Sequence, residues 1–223
     1  MIDSFNKMTI KVYREVKEII ENYSNADDDY QMKVELIAVL NDMEVEDVLD
    51  LSLTTFNVLV QSLGFLYEMP QKRMPLTKYK LGGIELEAML DIHNMTAGQF
   101  IDYQNFVKDV DKYMVELLSV FLIPKKHKYN DGYDIMEVQK VINENLSIVD
   151  AWNLSAFFLE WFNSLLKVTV SCLSKKLTKM MKKEKNKEIQ EKYKQALEHL
   201  EKSGDGLLWL IEYQKQYEIL GKK

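Results

Sequence analysis

Three histidines, one cysteine, an acid and an amine on one helix, and a run of lysines are the residues whose types invite chemistry. His93, His127 and His199 lack a His, Cys or carboxylate at the spacing that metal ligation uses, so no metal site is expected. His93, close to Asp91, reads as part of a loop entry. No glycine-rich phosphate loop follows a strand, and neither a Gly-x-Ser-x-Gly elbow nor paired cysteines occur. Cys172 sits among apolar neighbours with no histidine nearby, which predicts a core side chain rather than a nucleophile. Glu160 and Lys167 would be separated by two helical turns, about 10.5 Å along the axis, too far for a direct acid–amine pair. They are expected to make contacts across a helix or subunit interface. Neither catalysis nor a cofactor is expected. The remaining candidate is electrostatic: seven lysines between Lys175 and Lys187. Lys175, Lys176, Lys179, Lys182 and Lys183 are either a solvated helix end or a surface for DNA phosphates or an acidic neighbour.

The element that must position these groups is one long helix, Ser147–Lys183. Ser147 and Asp150 resemble a capping box, with Asp where Glu or Gln is usual, and no Gly or Pro follows before Gly204. Asn153, Glu160, Ser164, Lys167, Ser171, Ser174 and Thr178 fall on one narrow stripe at helical period. Apolar residues, among them Trp152, Leu154, Phe158, Leu159, Trp161, Phe162, Leu165, Leu166, Val168, Val170 and Leu173, cover the other sides. Such a helix is the centre of a domain or a membrane span. Length and flanking lysines suit a span. Against it, Glu160 and Lys167 would each cost about 2.5–3.5 kcal/mol in mid-membrane, and the polar stripe runs unbroken into the lysines. A buried helix, with no membrane partner, is the expectation.

Composition agrees with a helical globular chain. Its 223 residues suffice for a sizeable core, 47% hydrophobic and 29% charged content is ordinary, and eight Gly and three Pro are few. The net charge of −6 gives no global attraction to nucleic acid, so any such attraction is local. One cysteine excludes an intrachain disulfide framework and fits a reducing cytoplasm or a particle assembled there. The first residues lack a basic stretch followed by an apolar run, so no secretory signal is expected.

In chain order, Asp3 or Ser4 is expected to cap a first helix with Phe5, Met8, Val12, Val16, Ile19 and Tyr23 along one face. Asn25–Asp29 is a polar break. A helix over Tyr30–Asn41 and a short turn at Val45–Leu49 precede a helix over Leu53–Glu68, stopped by Met69-Pro70. Thr96 and Gln99 form a capping box that opens a helix to about Lys108. Further helices are expected at Tyr113–Ile123, ending at Pro124, and at Ile135–Asn143, with a loop over Pro124–Asp134. Glu184–Lys202 and Leu207–Leu220, separated by Gly204-Asp205-Gly206, would make a C-terminal helical hairpin.

Between the helices, residues 76–87 change period. A two-residue turn at Gly82-Gly83 sets Leu81 opposite Ile84, Lys80 opposite Glu85, Tyr79 opposite Leu86 and Lys78 opposite Glu87. One face carries two opposite-charge pairs and the other four apolar residues, which predicts a β-hairpin with an exposed edge that a neighbour could extend. Lys78, Lys80, Glu85 and Glu87 join the lysines of the long helix as candidate interaction residues.

Leu81-Gly82-Gly83-Ile84-Glu85-Leu86, then the stretch Met95–Tyr103, then Phe121–Asp134, then a long aromatic helix, resemble a family of small helical virion or tail-assembly proteins. These belong to tailed phages of gut Bacteroidetes, including the crAss-like phages. The resemblance covers about Val34 to Lys182 and carries no catalytic residue. The first helix and the final hairpin lie outside it. The pattern of elements read above predicts a mainly α protein, a helical bundle around one long hydrophobic helix with a small β-hairpin near residues 76–87, a core domain over 1–183 and a C-terminal helical hairpin over 184–223. The resemblance implies a structural part of the portal, neck or tail, made in the host cytoplasm. The expected partners are copies of the chain in a ring, other portal or neck proteins, and DNA in the channel without sequence specificity. The alternative is a tail assembly chaperone absent from the finished virion.

Overall fold

The computed structural model describes residues 1–23, 29–68, 70, 72–91, 94–183, 187, 189–192 and 194–195, without the side chains of residues 161, 163–170 and 173. The chain is mainly helical with one small antiparallel sheet, and it divides into two compact units, Met1–Ser155 and Ala156–Lys223. The division falls inside the longest helix.

The first unit opens with α1 (Ile10–Tyr23), α2 (Asp29–Asn41), α3 (Val45–Leu49), α4 (Leu53–Ser62) and a 3-10 turn over Leu63–Tyr67. Strands β1 (Lys78–Leu81) and β2 (Ile84–Ala88) lead to α5 (Ala97–Phe106), α6 (Val110–Phe121), β3 (Leu122–Pro124) and α7 (Ile135–Asn145). The longest helix, α8 (Ile148–Lys183), begins here. Helix α1 packs on α2 and α7, α6 packs on α5 and α7, and the core includes Met8, Ile37, Tyr103, Phe121, Leu118 and Ile142.

The first helix starts later than its apolar stripe suggests. Thr9 forms a bridge with Ser147, Ile148 N donates to Met8 O at 2.8 Å, and Ile10 N donates to Leu146 O at 3.2 Å. Residues 4–8 form turns, with Lys7 N donating to Ser4 O and Met8 N to Phe5 O, and the distant pairing then keeps Thr9, whose hydroxyl accepts from Val12 N at 3.4 Å, out of the helix. Asp3 and Ser4 therefore do not cap α1. Asp3 instead pairs with Lys7 at 2.9 Å. Local caps open other helices: Ser52 accepts from Thr55 N, and Asp109 accepts from Lys112 N. Thr96 and Gln99 form the expected reciprocal box. Gln99 is fully buried, and its amide also donates to Val120 O at 3.0 Å, which ties α5 to α6.

The hairpin register agrees at all four pairs, Lys78↔Glu87, Tyr79↔Leu86, Lys80↔Glu85 and Leu81↔Ile84. Gly82 and Gly83 have φ of 53° and 85°, both positive, as a tight two-residue turn requires. The third strand is a correction. Helix α6 begins at Val110, passes an irregular Tyr113 and ends at Phe121, and Leu122–Pro124 then pairs with Ala88–Leu86. The apolar run Phe121-Leu122-Ile123 suits helix and strand alike, and the free edge of β2 decides between them. Pro124 is tolerated because β3 is an edge strand. The helix expected over Leu53–Glu68 is α-helical only to Ser62 and tightens into the 3-10 turn beyond.

In the second unit, α8 continues to Lys183 and buries Phe158, Leu159 and Phe162, while Glu160 is exposed. Cys172, expected in a core, is exposed. Among the described residues no helix is long and apolar enough to cross a membrane. The expected hairpin over 184–223 lies for the most part outside the described residues, as do the break at Asn25–Asp29 for most of its length and His93 and His199.

Candidate functional site

The sheet places its charges on one face. Lys78 and Lys80 are exposed and alternate with buried Tyr79 and Leu81, and across the turn Glu85 is exposed while Leu86 is fully buried. Lys78 Nζ lies 3.9 Å from Glu87, a loose and solvated pair. Lys80 and Glu85 are opposite in register, but the close ion pair of the Glu85 carboxylate is with Lys125, beyond β3, at 2.7 Å. Lys125 N also donates to Glu85 O at 2.9 Å, so the third strand brings its own cation to the face. Lys125, and more weakly Lys80 and Lys78, hold the Glu85 carboxyl below the usual carboxylate range. No local spacing links Lys125 to Glu85, because their contact depends on the β2–β3 pairing. That strand also takes one edge of the hairpin, leaving β1 paired on one side among the described residues.

The start of α8 is clasped rather than free. Ser147 accepts from Asp150 N at 3.1 Å and donates to the Asp150 carboxylate at 2.8 Å, so Asp150 braces the cap through its side chain. Arg73 reaches the other Asp150 oxygen at 2.7 Å, and Arg73 N donates to Asn153 at 2.9 Å. The segment before β1 is thereby strapped to the first turns of α8. Nearby, the Tyr79 hydroxyl accepts from Leu76 N at 3.0 Å. Burial, with the negative charge of Asp150, pushes its pKa up to about 12.

The end of α8 has the opposite character. Lys175, Lys176, Lys179, Lys182 and Lys183 are all exposed, with Met180 exposed among them and Leu177 and Met181 half-buried. Lysines interleaved with methionines offer cationic heads on flexible apolar stems, a surface that adapts to a partner. The five lysines are brought together by helix geometry in the second unit, and the sheet residues Lys78, Lys80, Glu85 and Glu87 by strand pairing in the first.

A further surface gave a signal in the sequence that charge-seeking overlooks. From Leu51 to Tyr67 there is no charged residue. Within that stretch α4 buries only Phe56 and exposes Leu53, Thr54, Asn57, Val58 and Gln61. Leu53 is 72% exposed and Val58 59% exposed, and Leu49 and Tyr67 are exposed at the two ends. Surface helices ordinarily carry charge on the outward face. This one does not. In the chain it is preceded by exposed Asp42, Glu44, Glu46, Asp47 and Asp50, and no basic residue occurs between Lys33 and Lys72.

Other polar groups tie loops and helices together. His127 Nδ1 lies 3.2 Å from Asp131 O, and the ring packs edgewise on Tyr133. Tyr129 donates to Asp102 at 2.7 Å, pinning the 124–134 loop to α5. A shallow charged cleft between α1 and α6 is closed by Lys17–Asp111 at 3.0 Å and by Arg14, which donates to Lys112 O. Among the described residues, no group of three or more His, Cys, Asp or Glu comes together to hold a metal. Comparison with protein-family models, curated proteins and solved structures finds no match.

Proposed function

We propose that the chain is a non-enzymatic structural subunit of a tailed-phage particle. It serves as a ring or connector in the portal, neck or tail region around the DNA channel, and its helices bundle around α8. The sequence resemblance over Val34 to Lys182 is one support. The observation that carries the reading is the presence of two unlike exposed surfaces. One is the lysine row on the last turns of α8, and the other is the uncharged outward face of α4 with its acidic border. A closed ring requires two different patches on each subunit, because its contacts are head-to-tail. The lysines would meet an acidic neighbour or DNA phosphates, in the second case without sequence preference.

A tail assembly chaperone is the second reading. The same α4 face favours it, since an exposed uncharged helix is a surface that a client protein covers. Quantitative mass spectrometry of purified particles separates the two. A ring subunit is present at a fixed multiple set by the ring symmetry. A chaperone is abundant in infected cells and absent from finished particles, and that result would overturn the ring.

A further inference from the structure

We propose that the lysine-bearing end of α8 of one copy docks on the α3–α4 face of a second copy, making a head-to-tail contact between chains. The proposal deepens the ring reading by naming the two surfaces that meet. The receiving face is the outward side of α4, with Leu53, Asn57, Val58 and Gln61 exposed and uncharged, and the exposed acids Glu46, Asp47 and Asp50 of the α3 region lead into it along the chain. Val48 is buried under α3, so these acids stand outward around it. Between Lys33 and Lys72 no cation neutralises that side in sequence.

The entering surface is its complement in both respects. Lys175, Lys176, Lys179, Lys182 and Lys183 are exposed, and Met180 is 41% exposed between them. Methionine and lysine stems cover Leu53 and Val58 while the ammonium heads reach the acidic border. Both halves of the match occur on the same chain, which makes a second copy a sufficient occupant. The two halves differ, so the contact is heterologous, and a pair of copies keeps a free α3–α4 face on one and a free lysine end on the other. It propagates into a ring where the rotation closes. DNA competes for the lysines, but it offers nothing for the uncharged face of α4, so a copy of the chain satisfies both surfaces and DNA only one.

The test is the association state of the purified full chain by sedimentation at low and high salt. Wild type should self-associate at about 100 μM, a concentration that populates a contact of micromolar affinity. Association should weaken at least about tenfold between about 50 mM and 500 mM salt, as screening shortens the reach of exposed charges. Two one-sided variants, Glu46→Lys/Asp47→Lys/Asp50→Lys and Lys179→Glu/Lys182→Glu/Lys183→Glu, should each be monomeric. Combined in one chain, the reversals should restore association. Asn57→Lys/Gln61→Lys loads the uncharged face without touching α3 and should also abolish association. Circular dichroism confirms that each variant is folded. Three outcomes overturn the proposal: a monomeric wild type at low salt, one-sided variants that associate normally, or folded combined variants that stay apart. A monomeric wild type whose lysines retain duplex DNA would assign them to DNA instead. Presence of the chain in particles is measured separately, so the docking proposal can fail while the ring reading stands.

Discussion

At its first turns α8 buries Ile148, Val149, Ala151 and Leu154 and has Asp150 gripped by Arg73 and Ser147; at its last turns it exposes five lysines around Met180. Both ends are helical for the same local reason, an unbroken series of helix-compatible residues without Gly or Pro. They differ in what lies beside them. The start is held laterally by the Thr9–Ser147 bridge and by the Arg73 strap. Trp152 also packs against a tilted Phe5 and, edge to face, against Tyr13, with ring centroids 5.6 and 5.1 Å away. The end carries charge instead. Stability therefore resides at one end, and the other can change its side chains at little cost to folding.

The sharpest way to break this contrast is at the buried end. Leu154→Ala should destabilise the chain by about 2–5 kcal/mol in denaturant unfolding, through lost burial and the cavity left behind. A cost below about 1 kcal/mol would mean that the start of α8 is not core. Asp150→Ala should cost about 1–3 kcal/mol, because it removes the acceptor for Arg73 and the brace of the Ser147 cap. A double-mutant cycle with Arg73→Ala should return a coupling of at least about 0.5 kcal/mol, and strict additivity would remove the strap from the account.

Tyr79 sharpens the same end through pH. Its folded pKa, about 12, lies above the ordinary value of 10.0, so the folded state holds the phenolic proton more tightly. The associated stability is complete below pH 10 and is lost as pH rises through about 12. Tyr103 and Tyr129 are shifted upward too, chiefly by burial, and contribute in the same direction. Tyr79→Phe should cost about 1 kcal/mol near neutrality, by leaving Leu76 N without its acceptor. It should also lose stability less steeply with rising pH than wild type. Parallel alkaline curves would show that Tyr79 does not titrate with folding.

Where local chemistry decides, the sequence was readable. Gly82-Gly83 dictate the turn, and the turn dictates four cross-strand pairs. Thr96 and Gln99 cap a helix by a contact three residues long. The start of α8 follows from Ser147 and Asp150. What was not readable depends on segments far apart in sequence. Leu122–Pro124 becomes a strand because β2 offers it an edge, and Lys125 then takes Glu85 from Lys80. Helix α1 is delayed to Ile10 because Ser147 captures Thr9. Cys172 looked like core because its sequence neighbours are apolar, but exposure depends on which side of the helix has something to cover it. The lysines were legible as candidates because exposed charge needs no distant partner. The α4 face was legible only as a charge-free stretch, since its exposure depends on how α4 packs on α2 and on the 3-10 turn.

The central claim is that the end of α8 contributes to assembly and not to folding. It is tested most directly by co-producing wild type and Lys179→Glu/Lys182→Glu/Lys183→Glu and measuring their ratio in purified particles against their ratio in the cells. The account predicts that the variant unfolds within about 0.5 kcal/mol of wild type, since exposed lysines add little to stability. It also predicts that the variant is depleted from particles, more strongly when they are assembled at low salt, where like charges are less screened. Equal incorporation at low and high salt would contradict it and leave the lysines as a solvated helix end.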